Sequence, residues 1–263
     1  MATVSTAKPT FAEYPSWLTV TTDIDAIKFE NHYKAVTAQI CTEILHSAGW
    51  RALLDELPEA NDAYKIAHKS QLLTSLAPTL FVKPYASLLN KSYRKNVKNN
   101  KNWPDPPDGG WILAPTWLGA FKDVFRTTIT VSYLDGVQFL YEKLKNATAN
   151  AGADCEFDLN STPEGYYAGH FILKGVTTVP DLQFGSYEQS YSVEIQMTTH
   201  VKEAVKSILH PIYEKARMEN KADHNWQWDF SCDEFIANNL GHIIHYVEGM
   251  IVKVRKDHEG AAS

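Results

Sequence analysis

The sequence predicts an α/β (α+β) fold, in which a small mixed sheet has helices before and after it. Segments with apolar residues at helical spacing occupy both ends of the chain. Between them lie short runs of β-branched and apolar residues, separated by stretches that hold glycine and proline. The chain has 263 residues, of which 44% are hydrophobic and 12% aromatic, so it can build a packed core.

Three helices are predicted before the sheet. Residues 25–46 carry apolar side chains at helical spacing, and a second helix is predicted over residues 50–73. We expect Pro58 to interrupt that second helix, because proline lacks a backbone N–H and clashes with the preceding turn. A third helix is predicted over residues 86–97.

The segment 99–115 is a predicted loop, because it holds five proline and glycine residues before its closing Pro115. Trp103, Trp111 and Trp117 lie in or beside it. We interpret these tryptophans as anchors that pin the loop to the core rather than as substrate contacts.

The second half of the chain predicts the sheet and two more long helices. Strands are predicted over 124–133, 166–174 and 190–197, a helix over 136–147 with Asp135 as its N-cap, and a polar loop or short strand over 146–163. The segment 200–220 predicts a helix kinked at Pro211. A closing helix is predicted over 233–256, with one stripe formed by Phe235, Leu240, Ile244, Val247 and Ile251.

Charge is unevenly distributed along the chain. The net charge of −6 argues against a general nucleic-acid binder. A basic run without acidic residues nevertheless extends over residues 83–101 and contains Lys83, Lys91, Arg94, Lys95, Lys98 and Lys101. It indicates an anionic ligand, with a solvated helix face as the alternative.

The cysteines and the chain start indicate a cytoplasmic protein. Cys41, Cys155 and Cys232 are scattered and form no metal-binding spacing, which favours a reducing compartment. The first ten residues lack the apolar segment of a signal peptide, and no stretch approaches the length of a membrane span.

The run from Tyr191 to Met197 carries the strongest chemical signal. Because strand side chains alternate, Glu194 and Gln196 share one face while the apolar residues between and beside them share the other. A carboxylate among apolar neighbours requires a partner, because an unpaired buried charge is costly. A metal ion or a reacting hydroxyl would provide one.

Three further segments complete a predicted site. Asp123 opens one strand and Glu194 lies on another, so the two carboxylates are candidates for Mg²⁺. Lys91 and Arg94 are three residues apart on a predicted helix and share a face, suited to phosphate. Tyr166 follows a glycine and offers an aromatic plane for a base. Together they predict a magnesium-dependent enzyme that acts on nucleotides.

Four ordered motifs between about residues 70 and 220 resemble the RelA/SpoT synthetase domain family. They are Lys83-Pro84-Tyr85-Ala86-Ser87-Leu88-Leu89-Asn90-Lys91-Ser92-Tyr93-Arg94, Phe121-Lys122-Asp123-Val124, Gly165-Tyr166-Tyr167-Ala168-Gly169-His170 and Val193-Glu194-Ile195-Gln196-Met197-Thr198-Thr199. His210 and Lys215 fall where the family has a following helix. The resemblance implies a nucleotidyltransferase-like sheet that moves the β,γ-pyrophosphate of ATP onto a 3′-hydroxyl, usually of GDP or GTP, giving the alarmones ppGpp and pppGpp.

The resemblance also implies a role for each site residue. Asp123 would hold Mg²⁺, Glu194 would assist it in holding the metal or draw the proton from the attacking hydroxyl, and Gln196 would orient Glu194 or the acceptor sugar. The ATP-binding set would be Phe81, Lys83, Ser87, Lys91, Arg94 and Arg126, and the acceptor-binding set Tyr166, His170 and Lys215. Tyr166 would stack on the acceptor base, and alternation makes Tyr167 the buried tyrosine of the pair.

Departures from the family pattern keep other functions open. Phe81, Thr128 and Thr198 stand where the family has arginines, so Phe81 and Arg126 would replace an arginine clamp on adenine. Glu164 and the run Lys95, Lys98 and Lys101 fit a toxin that pyrophosphorylates the 3′ end of tRNA, with an antitoxin as a partner. A degenerate relative that only binds a nucleotide or a partner is the further alternative.

The predicted organisation has three parts. Residues 1–75 form an N-terminal helical extension, residues 76–220 the synthetase-like core, and residues 221–263 a C-terminal helical extension. His242 and His245 of the last part lack the further ligands of a zinc site, so we assign them a structural role.

Overall fold

A computed structural model of the chain describes residues 7–22, 25–180, 185–218 and 225–261. The helices are α1 Tyr14–Thr22, α2 Ala26–His46, α3 Ala48–His68, α4 Tyr85–Tyr93, α5 Trp117–Ala120, α6 Asp135–Asn150, α7 His200–Met218 and α8 Asp233–Ala261. The strands are β1 Phe81–Val82, β2 Phe125–Val131, β3 Cys155–Ser161, β4 Tyr167–Pro180 and β5 Ser186–Thr199. A π-helical turn, Arg94–Lys98, continues α4, and short 3₁₀ turns precede α5 and α8.

The five strands form one mixed sheet in the order β1-β2-β5-β4-β3. Strand β1 pairs antiparallel with β2, and β3 pairs antiparallel with β4. On β2, Phe125, Thr127, Ile129 and Val131 are buried and alternate with more exposed residues, as expected for a strand with one face on a core. The predicted fold class, a mixed sheet with helices before and after it, is therefore confirmed.

The chain forms two compact units. The first comprises residues 1–47, 80–126 and 174–194, and the second comprises residues 48–79, 127–173 and 195–263. The predicted division at residues 75 and 220 follows motifs rather than contacts, and it stays a prediction.

A buried polar cluster joins α1 to α4 in the first unit. The hydroxyl of Tyr14 lies 2.5 Å from that of Ser92, and the Asn96 amide donates to the Tyr14 oxygen at 2.8 Å. The same amide donates to the Ile112 carbonyl at 2.8 Å. Because each buried polar group of the cluster has a partner, the cluster fixes α4 and the following loop without the free-energy cost of an unpaired polar group.

The predicted tryptophan anchors act as expected in this unit. Trp103 and Trp111 lie 5.8 and 5.1 Å from the ring of Trp17 on α1, centroid to centroid. Trp117 is fully buried. The loop before α5 is therefore held by aromatic packing.

Helix α3 corrects one prediction. It runs from Ala48 to His68 without a break, and Pro58 lies inside it. The buried stripe Trp50, Leu53, Leu57, Ala60 and Tyr64 continues on both sides of the proline. Burial of this stripe outweighs the one hydrogen bond that proline removes.

Asp135 corrects a second prediction. It is the first residue of α6, and Leu134 occupies the cap position without a side-chain cap bond. The Asp135 carboxylate instead accepts from Arg255 on α8, and the Tyr64 hydroxyl donates to it at 3.1 Å. The carboxylate that we expected to cap the helix therefore forms a tertiary ion pair instead.

The predicted strands and last helices differ from the observed ones mainly in length. Strands β4 and β5 extend well beyond 166–174 and 190–197, and the uncertain segment 146–163 resolves into the end of α6 and β3. Helix α7 begins at His200 as predicted, while the side chain of Pro211 lies outside the described part of the chain.

Helix α8 corrects a third prediction. Val247 and Ile251 of the expected inner stripe are exposed, whereas Ala237, Asn238 and Glu248 are buried. Polar contacts therefore hold much of this helix in the second unit. None of the helices in the described ranges has the length and apolarity that crossing a bilayer requires.

Candidate functional site

Three charged side chains of the predicted site meet in the first unit. The Lys83 ammonium donates to one carboxylate oxygen of Asp123 at 2.8 Å, and the Lys91 ammonium donates to the other at 2.6 Å. The three side chains are 14%, 26% and 17% exposed, in the order Lys83, Lys91 and Asp123. We name this group the lysine clamp.

The backbone around Lys83 explains how the lysine clamp is held. The Lys83 N–H donates to the Val124 carbonyl at 2.8 Å, which continues the β1–β2 pairing by one residue. The Tyr33 hydroxyl on α2 donates to the Lys83 carbonyl at 2.6 Å. Burial, and then the Asp123 charge, raise the pKa of Tyr33, so this tyrosine stays a neutral donor.

The lysine clamp keeps its carboxylate ionised. Burial by itself raises the pKa of Asp123, but the hydrogen bonds from Lys83 and Lys91 outweigh it and lower that pKa to about 2. Two ammonium groups around one carboxylate leave an excess of positive charge in a half-buried place. Such a site attracts an anion with several negative oxygens.

Helix α4 and the π-helical turn that follows it carry two lysines beside one aromatic ring. The Lys91 and Lys95 ammonium groups lie 4.9 and 5.6 Å from the centroid of the buried Phe121 ring. Ser87 and Arg94 share the α4 face of Lys91 because they lie four residues before it and three after it. Ser87 is exposed, and Arg94 opens the π-helical turn.

Phe81 and Arg126 form a pair at the sheet edge of the same unit. They are directly opposite in the β1–β2 register. Directly opposite residues of an antiparallel pair project on the same face, with their Cβ atoms about 5 Å apart. Phe81 is 57% exposed and Arg126 is also exposed, so a planar group can reach both side chains.

The two polar residues of β5 have different surroundings. Glu194 is 8% exposed, between Val193 and Ile195, which are fully buried. In the second unit, Gln196 is half-buried, and its side-chain oxygen accepts from the Lys206 ammonium on α7 at 3.5 Å. Lys206 was not predicted, because no local pattern distinguishes it from the other lysines of its helix.

The donor atoms available for the predicted magnesium ion are carboxylate oxygens. Within residues 7–22, 25–180, 185–218 and 225–261, no three His, Cys, Asp or Glu side chains gather to hold an ion. Asp123 is an ionised oxygen donor, and Glu194 adds a carboxylate on a neighbouring strand of the sheet. Carboxylate oxygens are ligands that Mg²⁺ prefers, but both oxygens of Asp123 accept from Lys83 and Lys91, so the magnesium site stays a prediction.

The acceptor-side residues lie in the second unit. The Tyr166 hydroxyl is 2.9 Å from His170 Nε2, and both side chains are half-buried. Tyr167 is half-buried too, which corrects our expectation of a buried ring: it stacks on His245 of α8 at 3.7 Å. The side chain of Lys215 lies outside the described residues.

Comparisons with known proteins give structural neighbours only. No protein-family model and no curated protein matches the sequence. The chain is similar to a GTP pyrophosphokinase family protein from Streptococcus pneumoniae, with 18% identity, coverage of 84% of this chain and 95% of that chain, and a TM-score of 0.49. It is similar to the small alarmone synthetase 1 from Bacillus subtilis, with 16% identity, 80% and 95% coverage, and a TM-score of 0.48.

The same Bacillus subtilis enzyme bound to its product pppGpp has 16% identity, 83% and 98% coverage, and a TM-score of 0.48. These neighbours come from the family that the sequence motifs resemble.

Proposed function

We propose that this protein transfers the β,γ-pyrophosphate of ATP to the 3′-hydroxyl of a guanosine nucleotide, GDP or GTP. The observation that carries the proposal is the lysine clamp, in which Lys83 and Lys91 converge on one ionised carboxylate, Asp123. The products would be AMP and an alarmone of the ppGpp or pppGpp type.

The lysine clamp provides the chemistry for the polyphosphate. Its two ammonium groups are half-buried, where their attraction for phosphate is stronger than in bulk water. Asp123 holds both ammonium groups in place, so little reorganisation is needed when ATP arrives. Ser87 and Arg94 on the same face of α4 would extend the contact along the phosphate chain.

Phe81 and Arg126 would hold the adenine ring. Both are exposed, and both stand on one face of the β1–β2 pair. A phenyl ring and a guanidinium plane both stack on a purine base. This pair would replace the two arginines that the family pattern has near these positions.

The transfer itself needs a base and charge neutralisation. The acceptor 3′-oxygen attacks the β-phosphorus of ATP, the bond from that phosphorus to the α-phosphate oxygen breaks, and AMP leaves. Glu194 would accept the proton of the 3′-hydroxyl, while Lys83 and Lys91 would neutralise the charge that builds on the phosphoryl oxygens. A Mg²⁺ ion held by Asp123 and Glu194 would supply further neutralisation of phosphate charge.

Three further side chains would bind the acceptor. Tyr166 would stack on the base, and His170, hydrogen-bonded to the Tyr166 hydroxyl, would fix the ring or contact phosphate. Lys215 of α7 would add a positive charge. The free cysteines Cys41, Cys155 and Cys232 suit the reducing cytoplasm, where we place the reaction.

A pyrophosphotransferase assay tests this function. Purified protein with Mg²⁺ and ATP is given GDP, GTP, ATP or tRNA in turn, and AMP release is measured. We expect AMP with GDP or GTP, a loss of at least 100-fold for Glu194→Gln, and parent activity for Glu188→Gln, an exposed carboxylate on the same strand. Absence of AMP with every acceptor would leave a nucleotide-binding relative, which calorimetry with ATP would detect.

The tRNA acceptor is supported by one separate observation. Lys95 and Lys101 are exposed beyond the lysine clamp, in the segment that continues α4. They offer phosphate contacts that a mononucleotide does not need. AMP release with tRNA but not with GDP or GTP would establish this alternative, and growth arrest on expression, relieved by a neighbouring antitoxin, would follow from it.

A further inference from the structure

Helix α8 makes close backbone contact with the loop between β3 and β4 in the second unit. Gly165 of this loop has φ of +78°, and a Cβ atom there would stand 2.4 Å from the Asn238 carbonyl oxygen. A Cβ atom on Gly241 would stand 2.4 Å from the carbonyl oxygen of Gly165 itself. Two glycines therefore face each other where only backbone fits.

His242 joins both sides of this loop. Its Nε2 is 3.0 Å from the Pro163 carbonyl oxygen, and its Nδ1 is 2.8 Å from the Tyr167 hydroxyl. A carbonyl oxygen only accepts, so Nε2 carries the proton, and in the neutral ring Nδ1 accepts from the tyrosine. One imidazole thus ties Pro163, two residues before the turn glycine, to Tyr167, two residues after it.

His245 and its neighbours fix the Tyr167 ring. The two rings are parallel, with 2° between their planes and centroids 3.7 Å apart. The Lys202 ammonium on α7 is 3.0 Å from His245 Nδ1 and 3.2 Å from the Glu248 carboxylate. Burial, and then the charge of Lys202, lower the pKa of His245, which keeps the imidazole neutral as a stacking partner and acceptor.

The loop that α8 holds also sets the position of Tyr166. This residue directly follows Gly165, and its carbonyl accepts from the Thr162 N–H at 3.0 Å, which closes the turn. Alternation puts Tyr166 and His170 on one strand face and Tyr167 on the other. Tyr167 is therefore held by α8, while Tyr166 lies on the opposite strand face together with His170.

We propose that His242 and His245 are positioning residues for the acceptor, because they hold the loop that carries Tyr166. This inference rests on the proposed function, in which Tyr166 stacks on the acceptor base. It makes the C-terminal helix a part of the acceptor site rather than an appendage.

Steady-state kinetics of the full chain test the role. AMP release is measured with saturating ATP and with varied concentrations of whichever of GDP, GTP, ATP or tRNA the parent uses. For His242→Ala we expect the KM for the acceptor to rise about tenfold, the loss that a broken loop anchor of about 1.4 kcal/mol would give. The KM for ATP is expected to stay within about twofold, because the residues proposed to bind ATP belong to the first unit and His242 belongs to the second.

Two further variants separate this role from general damage. Tyr167→Phe removes one hydrogen bond but keeps the ring that stacks on His245, so a smaller rise in the acceptor KM is expected. His258→Ala changes an exposed histidine on the same helix and should match the parent. An equal fall in kcat with either substrate varied, at unchanged acceptor KM, would overturn the inference.

Amide hydrogen exchange measures how firmly His242 holds the loop, independently of catalysis. We expect the amides of Thr162 and of residues 164–167 to exchange faster in His242→Ala than in the parent and in His258→Ala. Unchanged exchange in His242→Ala would overturn the inference even in an active enzyme. A parent that releases no AMP with any acceptor would instead refute the proposed function, so the two failures are distinguishable.

Discussion

At the scale of single residues, Asp123 shows how one half-buried carboxylate organises a site. It accepts from Lys83 and Lys91, and its charge adds to the rise in the pKa of Tyr33. Leaving either lysine half-buried without a negative partner would cost free energy. The carboxylate therefore stabilises the fold and prearranges the two cations.

The lowered pKa of Asp123 predicts a specific dependence of stability on pH. Its folded-state pKa, about 2, lies below the ordinary value of 3.8. The stabilisation is therefore complete above pH 4 and is lost as the pH falls from about 4 to about 2, and it amounts to about 2 kcal/mol. We expect the difference in unfolding free energy between the parent and Asp123→Asn to shrink by that amount over this range, measured by urea unfolding.

The matched control is Asp158→Asn, which removes an exposed carboxylate from β3. Its difference from the parent should stay constant within about 0.5 kcal/mol at every pH. A difference for Asp123→Asn that does not change with pH would contradict the role of the lysine clamp.

At the scale of elements, the short strand β1 matters because of what it aligns. It has two residues, yet its register with β2 sets Phe81 opposite Arg126. The same pairing continues to Lys83, whose N–H bonds to Val124, so one strand edge presents an aromatic ring and a clamp lysine. The strand pairing therefore fixes the distances between these residues along the sheet.

The Phe81 and Arg126 pair predicts coupled losses in ATP affinity. Each of Phe81→Ala and Arg126→Ala should raise the KM for ATP about fivefold to tenfold, because each removes one stacking face of about 1 kcal/mol. The double variant should lose less than the product of the two, since a base stacked on one side only is already mobile. Arg51→Ala, an exposed arginine on α3, is the control and should match the parent.

Steady-state AMP release at varied ATP checks this prediction. Independent losses that multiply in the double variant would show that the two side chains do not share one ligand. A rise in the acceptor KM instead of the ATP KM would show that the Phe81 and Arg126 pair binds the acceptor rather than ATP.

At the scale of the whole molecule, the C-terminal helix is fixed by polar contacts that lie far apart in the chain. Arg255 pairs with Asp135 on α6 and donates to the Tyr64 hydroxyl on α3 at 2.8 Å. Its guanidinium also lies 4.6 Å from the centroid of the Tyr133 ring. These contacts belong to the second unit and explain why α8 needs few buried apolar residues.

Two ion pairs of α8 predict unequal effects on stability. Arg255→Gln should lower the unfolding free energy by about 2 kcal/mol, because it leaves Asp135, 18% exposed, without its main partner. Lys253→Gln breaks an exposed pair with Asp257 on the same helix and should cost less than about 0.5 kcal/mol. Thermal and urea unfolding of the two variants measure this contrast, and equal losses would contradict it.

Much of the fold was predictable because its signals are local. The helical stripe that includes Tyr33, Val36, Ile40 and Ile44 is buried on α2, as its spacing indicates. The alternation on β5 was also predictable, since Val193, Ile195 and Met197 are all fully buried. The break expected at Pro58 was wrong, because a local rule was overridden by the packing of the whole helix.

The candidate site was predictable in its membership but not in its contacts. The motif order indicated Lys83, Lys91 and Asp123, yet not that the two lysines hold the two oxygens of one carboxylate. Tyr33, which fixes the backbone of Lys83, gives no chemical signal in the sequence, because its apolar stripe indicates only burial.

The sequence by itself determined most of the long helices, the central strands, the basic run and the types of residue available for phosphate chemistry, because these depend on neighbours a few positions apart. Tertiary structure alone decided which of them meet. Lys83 and Lys91 are 40 and 32 positions from Asp123, and Tyr167 is 75 positions from His242. Contacts over such separations follow from how helices and strands pack, since burial and charge pairing act on the whole chain at once.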